Sequence, residues 1–266
     1  MQQKVNTVLS MVVLLSISIM SGCAINSPRE APANLMGRTN IENSDQLPAR
    51  QWYQACFRMP LNENGEPDFT IDYILADKVV APTLQRHVAR ISLWRFHRRS
   101  ARDVTGHQFS FLYYTDEDTH SEMAGELQNN PFLRKLMEKE QVIRFIPQCR
   151  GGKNRQQISS TSDPHWDPML QKSWPYFIMG VSASWLSLIH QADIAIEGGE
   201  NNIEAGDSDS RTTIINNEKS DLYARYEQIE AKVTEIWQEE GQHAYLHHLN
   251  ALFGYEPLKI QKWLSF

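Results

Sequence analysis

A carboxylate and two imidazoles stand at helical spacing near the end of the chain, at Glu240, His243 and His247. Residues three and four apart share one face of a helix, and Glu and His at such offsets can ligate one metal ion. The apolar spacing from Leu222 to Val233 places Glu240 on the buried side of this helix. A buried carboxylate is costly without a partner. The triplet therefore predicts a metal site, a structural network around Glu240, or a helix end that has emerged into solvent.

A second candidate is the serine in Gly180–Ser184, a segment close to the G-x-S-x-G sequence of nucleophile elbows. An elbow exposes its serine at a sharp turn between a strand and a helix, beside a histidine base. Asp193 and later histidines follow Ser182 in a suitable order. The last position is a serine, however, and an apolar stripe at helical spacing runs through it from Leu170 to Leu188. The sequence favours a helix and keeps a serine hydrolase as an alternative.

A third candidate is a basic segment between residues 86 and 102. It contains Arg86, His87, Arg90, Arg95, His97, Arg98, Arg99 and Arg102. Guanidinium groups bind phosphate and carboxylate groups well. We expect Arg95, Arg98 and Arg99 to bind the phosphates of lipid head groups, anionic glycans or the acidic surface of a partner. The alternative is a solvated strand whose arginines pair with nearby acidic residues.

The composition narrows the possible functions. The 266 residues include 26 Lys and Arg against 32 Asp and Glu, a net charge of −6 with a pI near 5.9. An acidic chain gives no support to a nucleic-acid partner. With 41% hydrophobic and 22% charged residues, the chain has the composition of a folded domain. Three cysteines are too few for a mini-protein built on disulfides.

The amino terminus predicts a signal peptide over residues 1–22. Lys4 precedes an apolar run from Val8 to Met20, and small residues follow. This run is too short to cross a bilayer, which needs roughly 20 apolar residues. Residues 23–49 contain several prolines and polar residues without apolar periodicity, so they predict a flexible tether.

The sequence Met20-Ser21-Gly22-Cys23 resembles the lipobox of bacterial lipoproteins. The resemblance implies that Cys23 carries the lipid, palmitate included, and becomes the new amino terminus. Ala24, where Asp would signal retention at the inner membrane, implies the outer membrane if the organism is Gram-negative. The resemblance covers residues 1–24 alone. The alternative is ordinary cleavage near Gly22 with an incidental thiol.

Residues 50–266 predict a single α+β domain, with a sheet-rich part over 50–150 and a helical part over 165–266. The predicted strands are Gln51–Met59, Leu93–Arg99, His107–Thr115 and Val142–Gln148. The predicted helices are Asp77–Arg90 and Asp118–Glu140, and the second is interrupted at Asn129-Asn130-Pro131, where Asn130 can cap a new helix that has Pro131 in its first turn. Their order predicts the split βαβ of a ferredoxin-like antiparallel sheet, with C-terminal helices packed on it. An alternating segment at Phe69–Leu75 predicts an additional hairpin strand.

Two helices separated by a polar insertion follow. The first, from Leu170 to Leu188, is apolar on nearly every side and is expected to be buried over the open face of the sheet. Residues 192–220 predict a mobile insertion, and Leu222–Phe253 predicts the second helix.

Cys56 and Cys149 fall in the first and last predicted strands, which are neighbours in a ferredoxin-like sheet. An exported protein meets an oxidising compartment, so this pair predicts a disulfide. The alternative is two buried free thiols.

Together these patterns predict a lipid-anchored envelope lipoprotein with a non-catalytic binding or assembly role and no cofactor. Its predicted partners are the membrane, through the lipid, and an envelope protein or anionic envelope component. The alternative is an envelope hydrolase, assisted by a metal at Glu240, His243 and His247 or dependent on Ser182.

Overall fold

The computed structural model describes residues 49–99, 106–150, 155–203 and 218–256. The predicted signal peptide, Cys23 and nearly all of the tether lie outside these residues. Four strands form one sheet: β1 (Gln51–Met59), β2 (Leu93–Arg99), β3 (His107–Thr115) and β4 (Arg144–Ile146). The bounds of the first three are those predicted, whereas β4 is shorter.

The sheet has the order β2-β3-β1-β4, and every neighbouring pair is antiparallel. Cys56 of β1 lies opposite Ser110 on one side and opposite Ile146 on the other. Along the chain, helices separate β1 from β2 and β3 from β4, whereas β2 and β3 follow one another directly. The fold is therefore α+β, with a four-stranded antiparallel sheet and helices.

The helix between β1 and β2 begins earlier than its sequence indicates. It consists of α1 (Thr70–Ile74), a π-helical turn (Leu75–Val80) and α2 (Ala81–His87). The predicted strand at Phe69–Leu75 is therefore wrong. All five residues of α1 are buried, so no polar face was present to reveal the helical period.

The helices between β3 and β4 follow the predicted break. They are α3 (Glu117–Gln128) and α4 (Pro131–Glu138). The Asn130 side chain accepts hydrogen bonds from the backbone N–H groups of Phe132 (2.9 Å) and Leu133 (3.2 Å). This is an N-cap, with Pro131 at the first helical position.

The C-terminal helices are α5 (Pro168–Ile203), α6 (Glu218–Gly241), a π-helical turn (Gln242–His247) and α7 (His248–Leu252). Residues 192–203, predicted as the start of a mobile insertion, instead continue α5. Residues 204–217 lie outside the described part of the chain. Within the part that is described, no helix combines the length and apolarity needed to cross a membrane.

The main core lies on one face of the sheet, which we call the inner face. Phe57, Phe109 and Phe111 are fully buried there. Helices α1 to α4 cover them, and Ile189 of α5 and Tyr226 of α6 join the same core. On the opposite, outer face, Trp52, Leu93 and Leu112 form a smaller cluster.

Helix α5 is not buried on every side, contrary to the prediction. Leu170, Phe177 and Val181 are exposed. The helix lies along the edge strand β2, and the ring of Trp185 packs 5.6 Å from that of Phe96. Its first half therefore shields the sheet edge on one side and leaves the other side in solvent.

Candidate functional site

The outer face of the sheet carries cations and no acidic residue among those that the strand register places there. Because side chains alternate along a strand, one face receives every second residue. The aligned rows are Arg144, Arg58, Gln108 and Arg99, then Ile146, Cys56, Ser110 and His97, then Gln54, Leu112 and Arg95, and last Trp52, Tyr114 and Leu93. We call this surface the basic face.

Arg95 is the most deeply buried cation of the basic face, with 9% of its surface exposed. One terminal nitrogen, Nη2, lies 3.4 Å from the carbonyl oxygen of Thr161, and the guanidinium stacks 4.9 Å from the ring of Trp174. Its Nε is buried without a hydrogen-bond partner among the described residues, and the same is true of Thr161 Oγ1. Buried polar atoms are nearly always paired, so these two mark a site with spare hydrogen-bonding capacity.

The surroundings of Arg95 also disfavour its positive charge. Burial, together with the neighbouring charges of Arg155 and Arg150, lowers the pKa of Arg95 to about 10. Burial and Arg150 also lower the pKa of Arg155. Among the described residues, no carboxylate forms an ion pair with any of these three arginines. Within that part of the chain, the site therefore holds concentrated positive charge without a compensating anion.

His97 responds to the same field. Its side chain lies at the exposed surface of the basic face. Partial desolvation by the surrounding protein lowers the pKa of its imidazole below 6.5, and Arg95, Arg150 and Arg99 lower it further. Desolvation and nearby like charges both disfavour the imidazolium. His97 therefore serves as an internal reporter of the charge on the basic face.

The segment after β4 brings Arg150 and Arg155 to the basic face. It continues beside β1, where the Cys149 N–H donates to the Gln54 carbonyl and the Trp52 N–H donates to the Arg155 carbonyl, both at 2.9 Å. It then crosses the sheet, where the indole of Trp52 donates to the carbonyl of Ile158 (2.9 Å). Residues far apart in sequence thus surround Arg95.

The structure joins Cys56 and Cys149, the pair predicted from the sequence, in a disulfide. Their Cα atoms are 5.8 Å apart, and 93 residues separate them along the chain. Cys149 lies three residues beyond β4 rather than within it. The bond therefore fixes to β1 the segment that contributes Arg150 and Arg155.

Arg98 does not belong to the basic face, so its predicted role in anion binding is wrong. Strand alternation turns it to the inner face, where its Nε contacts Oδ2 of the fully buried Asp72 at 2.6 Å. Its guanidinium also lies 4.5 Å from the ring of Phe69. Arg95 and Arg99 remain on the outer face. Arg98 instead neutralises a buried carboxylate.

Other charges on the inner side are paired in the same way. His107 Nε2 lies 2.9 Å from Asp72 Oδ1, and both residues are fully buried. Lys78 Nζ lies 2.8 Å from Asp77 and 3.1 Å from Asp193. These pairs join α1, the sheet and α5, and they have the structural role expected of buried, compensated ions.

The metal site predicted at Glu240, His243 and His247 is not formed. All three side chains are exposed, and the rings of His243 and His247 stack with centroids 5.4 Å apart. The prediction of a buried face is wrong because the helix has already passed the core at this point. After Val233 most described side chains of α6 and of the π-helical turn that follows it are exposed, which is the helix end in solvent given as the third alternative. Among the described residues, no group of three or more His, Cys, Asp or Glu side chains could hold a metal ion.

Ser182 is not placed as a nucleophile. It lies inside helix α5, where its hydroxyl donates to the carbonyl of Ile178 (2.8 Å) and accepts from the N–H of Phe96 (3.1 Å). Asp193 is paired with Lys78 and Arg225 rather than with a histidine. The hydroxyl therefore satisfies an N–H of the edge strand, and the predicted serine triad is wrong.

The sequence signal for the actual site was incomplete. Arg95 was among the predicted residues, but Arg150 and Arg155 were not, because they follow the last strand and no local pattern links them to β2. Only the predicted disulfide indicated the position of this segment, because it placed Cys149 beside β1.

The described chain thus defines an α+β protein with a basic face on a four-stranded antiparallel sheet. No known family model, curated protein or solved structure matches it.

Proposed function

We propose that this chain is a lipid-anchored lipoprotein of the cell envelope whose body binds an anionic envelope component without catalysis. In this proposal Cys23 carries the lipid, residues 23–49 form the tether, and the domain of residues 50–266 presents the basic face. Ala24 implies the outer membrane in a Gram-negative organism. The observation that carries the binding role is the buried Arg95, whose Nε has no hydrogen-bond partner among the described residues.

A bound anion would give Arg95 Nε a hydrogen-bond acceptor and would offset the positive charges around it. The charged oxygens of a phosphate or carboxylate accept hydrogen bonds from guanidinium and hydroxyl groups, here Arg95 Nε and Thr161 Oγ1. Arg150 and Arg155 would add attraction in place of mutual repulsion. Phosphate suits the site better than carboxylate because it offers more acceptor oxygens to donors that converge from several directions.

We also propose that the sheet-rich part has the ferredoxin-like, split βαβ arrangement. Two observations support this: the order strand, helix, strand, strand, helix, strand along the chain, and the position of β1 between β3 and β4. The α5–α6 helices would then be an addition to that arrangement. The basic face would be the side of the sheet that α1 to α4 leave uncovered.

The anion proposal is tested with inorganic phosphate on the full-length chain in mild detergent. Thermal unfolding is measured in phosphate and in chloride at equal ionic strength, for wild type, Arg95→Met and the matched control Arg86→Met. Arg86 is exposed and paired with Glu126 on the other side of the fold. Phosphate should raise the midpoint of wild type and of Arg86→Met, because a ligand that binds the folded state stabilises it.

Arg95→Met should lose this response. An equal rise in all three proteins would contradict the proposal. Vesicles containing phosphatidylglycerol and a soluble phosphorylated glycan then compete with phosphate, and the stronger competitor identifies the source of the anion. The anchor is tested separately: palmitate label that persists after Cys23→Ser contradicts it.

A further inference from the structure

Large apolar side chains are exposed at one end of the helices α5 to α7. They include Phe177, Val181, Leu246, Leu249, Leu252 and Phe253, and we call them the apolar tip. Leu252 is 84% exposed, Phe253 71% and Phe177 50%. Single exposed apolar residues are ordinary, but a group of this size marks a surface that contacts something apolar.

The helix pairing brings the two halves of the tip together. Helix α5 contacts α6 where Asp193 pairs with Arg225, and it contacts the π-helical turn after α6 where Ser184 Oγ lies 3.3 Å from Tyr245 Oη. Between the first contact and the second, the residue number decreases along α5, from 193 to 184, and increases along the other segment, from 225 to 245. The helices are therefore antiparallel, and residues 176–181 lie at the same end as residues 246–253.

The tip also lacks acidic residues, lysine and arginine. Residues 173–192 and 241–255 contain no Asp, Glu, Lys or Arg, whereas residues 218–240 are rich in them. At the border between the two regions, the ring of the exposed Trp237 packs 5.8 Å from that of Tyr245. Aliphatic groups flanked by Trp and Tyr are the arrangement that suits the boundary between a bilayer and water.

The chain enters the fold at the same end. Met179 of α5 packs against the cluster of Trp52, Leu93 and Leu112, and Trp52 is the second residue of β1. The pKa of Tyr114, which burial raises, is also influenced by both Arg50 and Tyr176. The first residues of the domain therefore lie close to the α5 side of the tip.

We infer that the apolar tip rests in the lipid surface to which the chain is tethered, an inference that depends on the lipid anchor proposed above. Between Cys23 and Pro48 there are 25 peptide units, which span at most about 85 Å when fully extended. A tether of this reach keeps the tip at a high effective concentration near the lipid, so a shallow contact is sufficient. Because the tip contains no Lys or Arg to bind anionic head groups, the contact rests on apolar side chains and zwitterionic lipid alone supports it.

The test measures quenching of tryptophan fluorescence by lipids with brominated acyl chains. The full-length chain, in a Trp263→Phe background, is reconstituted in phosphatidylcholine vesicles. Residues 1–51 contain no tryptophan, so the amino terminus gives no signal of its own. Six tryptophans remain, so the signal of Trp237 is the difference between this chain and its Trp237→Phe variant. Trp237, at the border of the tip and 57% exposed, should be quenched.

Two variants locate the contact. Leu252→Glu with Phe253→Glu places charges in the tip and should lose most of the quenching, because charged groups are expelled from hydrocarbon. Ile143→Glu changes another exposed apolar residue, next to β4 at the opposite sheet edge from β2, and should retain the quenching. All of these side chains are exposed, and circular dichroism checks that each variant folds.

The outcomes separate the tip from the anchor. Flotation with the vesicles but without quenching of Trp237 overturns the tip contact and leaves the anchor intact. Equal flotation and quenching of the Cys23→Ser variant overturns the anchor and leaves the tip. If the wild-type chain neither floats with the vesicles nor shows quenching, the anchor and the tip contact are both overturned. A dimer in sedimentation that the double Glu variant abolishes, without quenching, shows that the tip is an interface between two copies.

Discussion

The two faces of the sheet differ in whether their buried charges contact groups of opposite charge. On the inner face Asp72 is fully buried, but Arg98 and His107 both contact it. On the outer face Arg95 is nearly as buried, yet Arg150 and Arg155 are its charged neighbours and its Nε has no partner in the described chain. A compensated buried charge is tolerated by the fold as long as its partners remain, whereas an uncompensated cluster costs stability and is a feature of binding sites. The difference indicates which face serves the structure and which serves a ligand.

The disulfide should have the largest effect on this comparison, because it holds the segment with Arg150 and Arg155 against β1. Replacing both Cys56 and Cys149 by Ala should lower the free energy of unfolding by about 4–5 kcal/mol in the chain-entropy model. Urea unfolding measures this. Adding a disulfide reductant should lower the free energy of unfolding of wild type and leave that of the double variant unchanged. Identical wild-type curves with and without reductant would show that the bond contributes nothing.

The next largest effect is expected from Arg98→Met, which removes a partner of Asp72. Breaking a buried ion pair costs about 3–5 kcal/mol, and we expect about 3 kcal/mol because His107 still contacts the carboxylate. Urea unfolding of Arg86→Met, which loses an exposed pair, should show less than about 1 kcal/mol. Equal losses in the two variants would mean that the inner network is not what stabilises the fold.

Arg95→Met should differ from Arg98→Met although both arginines lie on β2. The variant loses the stacking on Trp174 but also the repulsion from Arg150 and Arg155. Its free energy of unfolding in phosphate-free buffer should stay within about 1 kcal/mol of wild type. A loss as large as that of Arg98→Met would place Arg95 in the structural network.

The smallest effect is a shift in the titration of His97, followed by NMR. Its pKa in the folded chain is lowered from 6.5, so the unfolded chain takes up the proton first as the pH falls. This group therefore reduces stability as the pH falls below 6.5 towards its folded value. Phosphate, or Arg95→Met, should raise the pKa of His97. A pKa at or above 6.5 in phosphate-free wild type would contradict the uncompensated charge.

The local predictions succeeded where one physical signal dominated. The alternation in His107–Thr115 and the Asn130–Pro131 cap each specified an element with its boundary. The prediction failed at Phe69–Leu75 because a helix buried on all sides has no polar face to reveal its period. It failed again at Glu240, because residue spacing indicates which side of a helix faces the core but not where along the chain the helix leaves that core.

The candidate site was predicted in part. The basic segment at residues 86–102 pointed to Arg95 and Arg99 but also included Arg98, although strand alternation places Arg98 on the other face. The arginines that complete the site, Arg150 and Arg155, lie in the polar segment after the last strand, which has no distinguishing pattern. Only the path of the chain beside β1 brings them to Arg95.

By itself, the sequence determined the class of the fold and the strands β1 to β3, because hydrophobic periodicity and capping are local properties. It also carried the pair Cys56 and Cys149 and the lipobox-like Met20–Cys23, which remains a prediction. The tertiary structure alone decided which cations are compensated and which apolar residues of α5 to α7 stay exposed. Both depend on contacts between residues distant in the chain, and such contacts leave no periodic signal in the sequence.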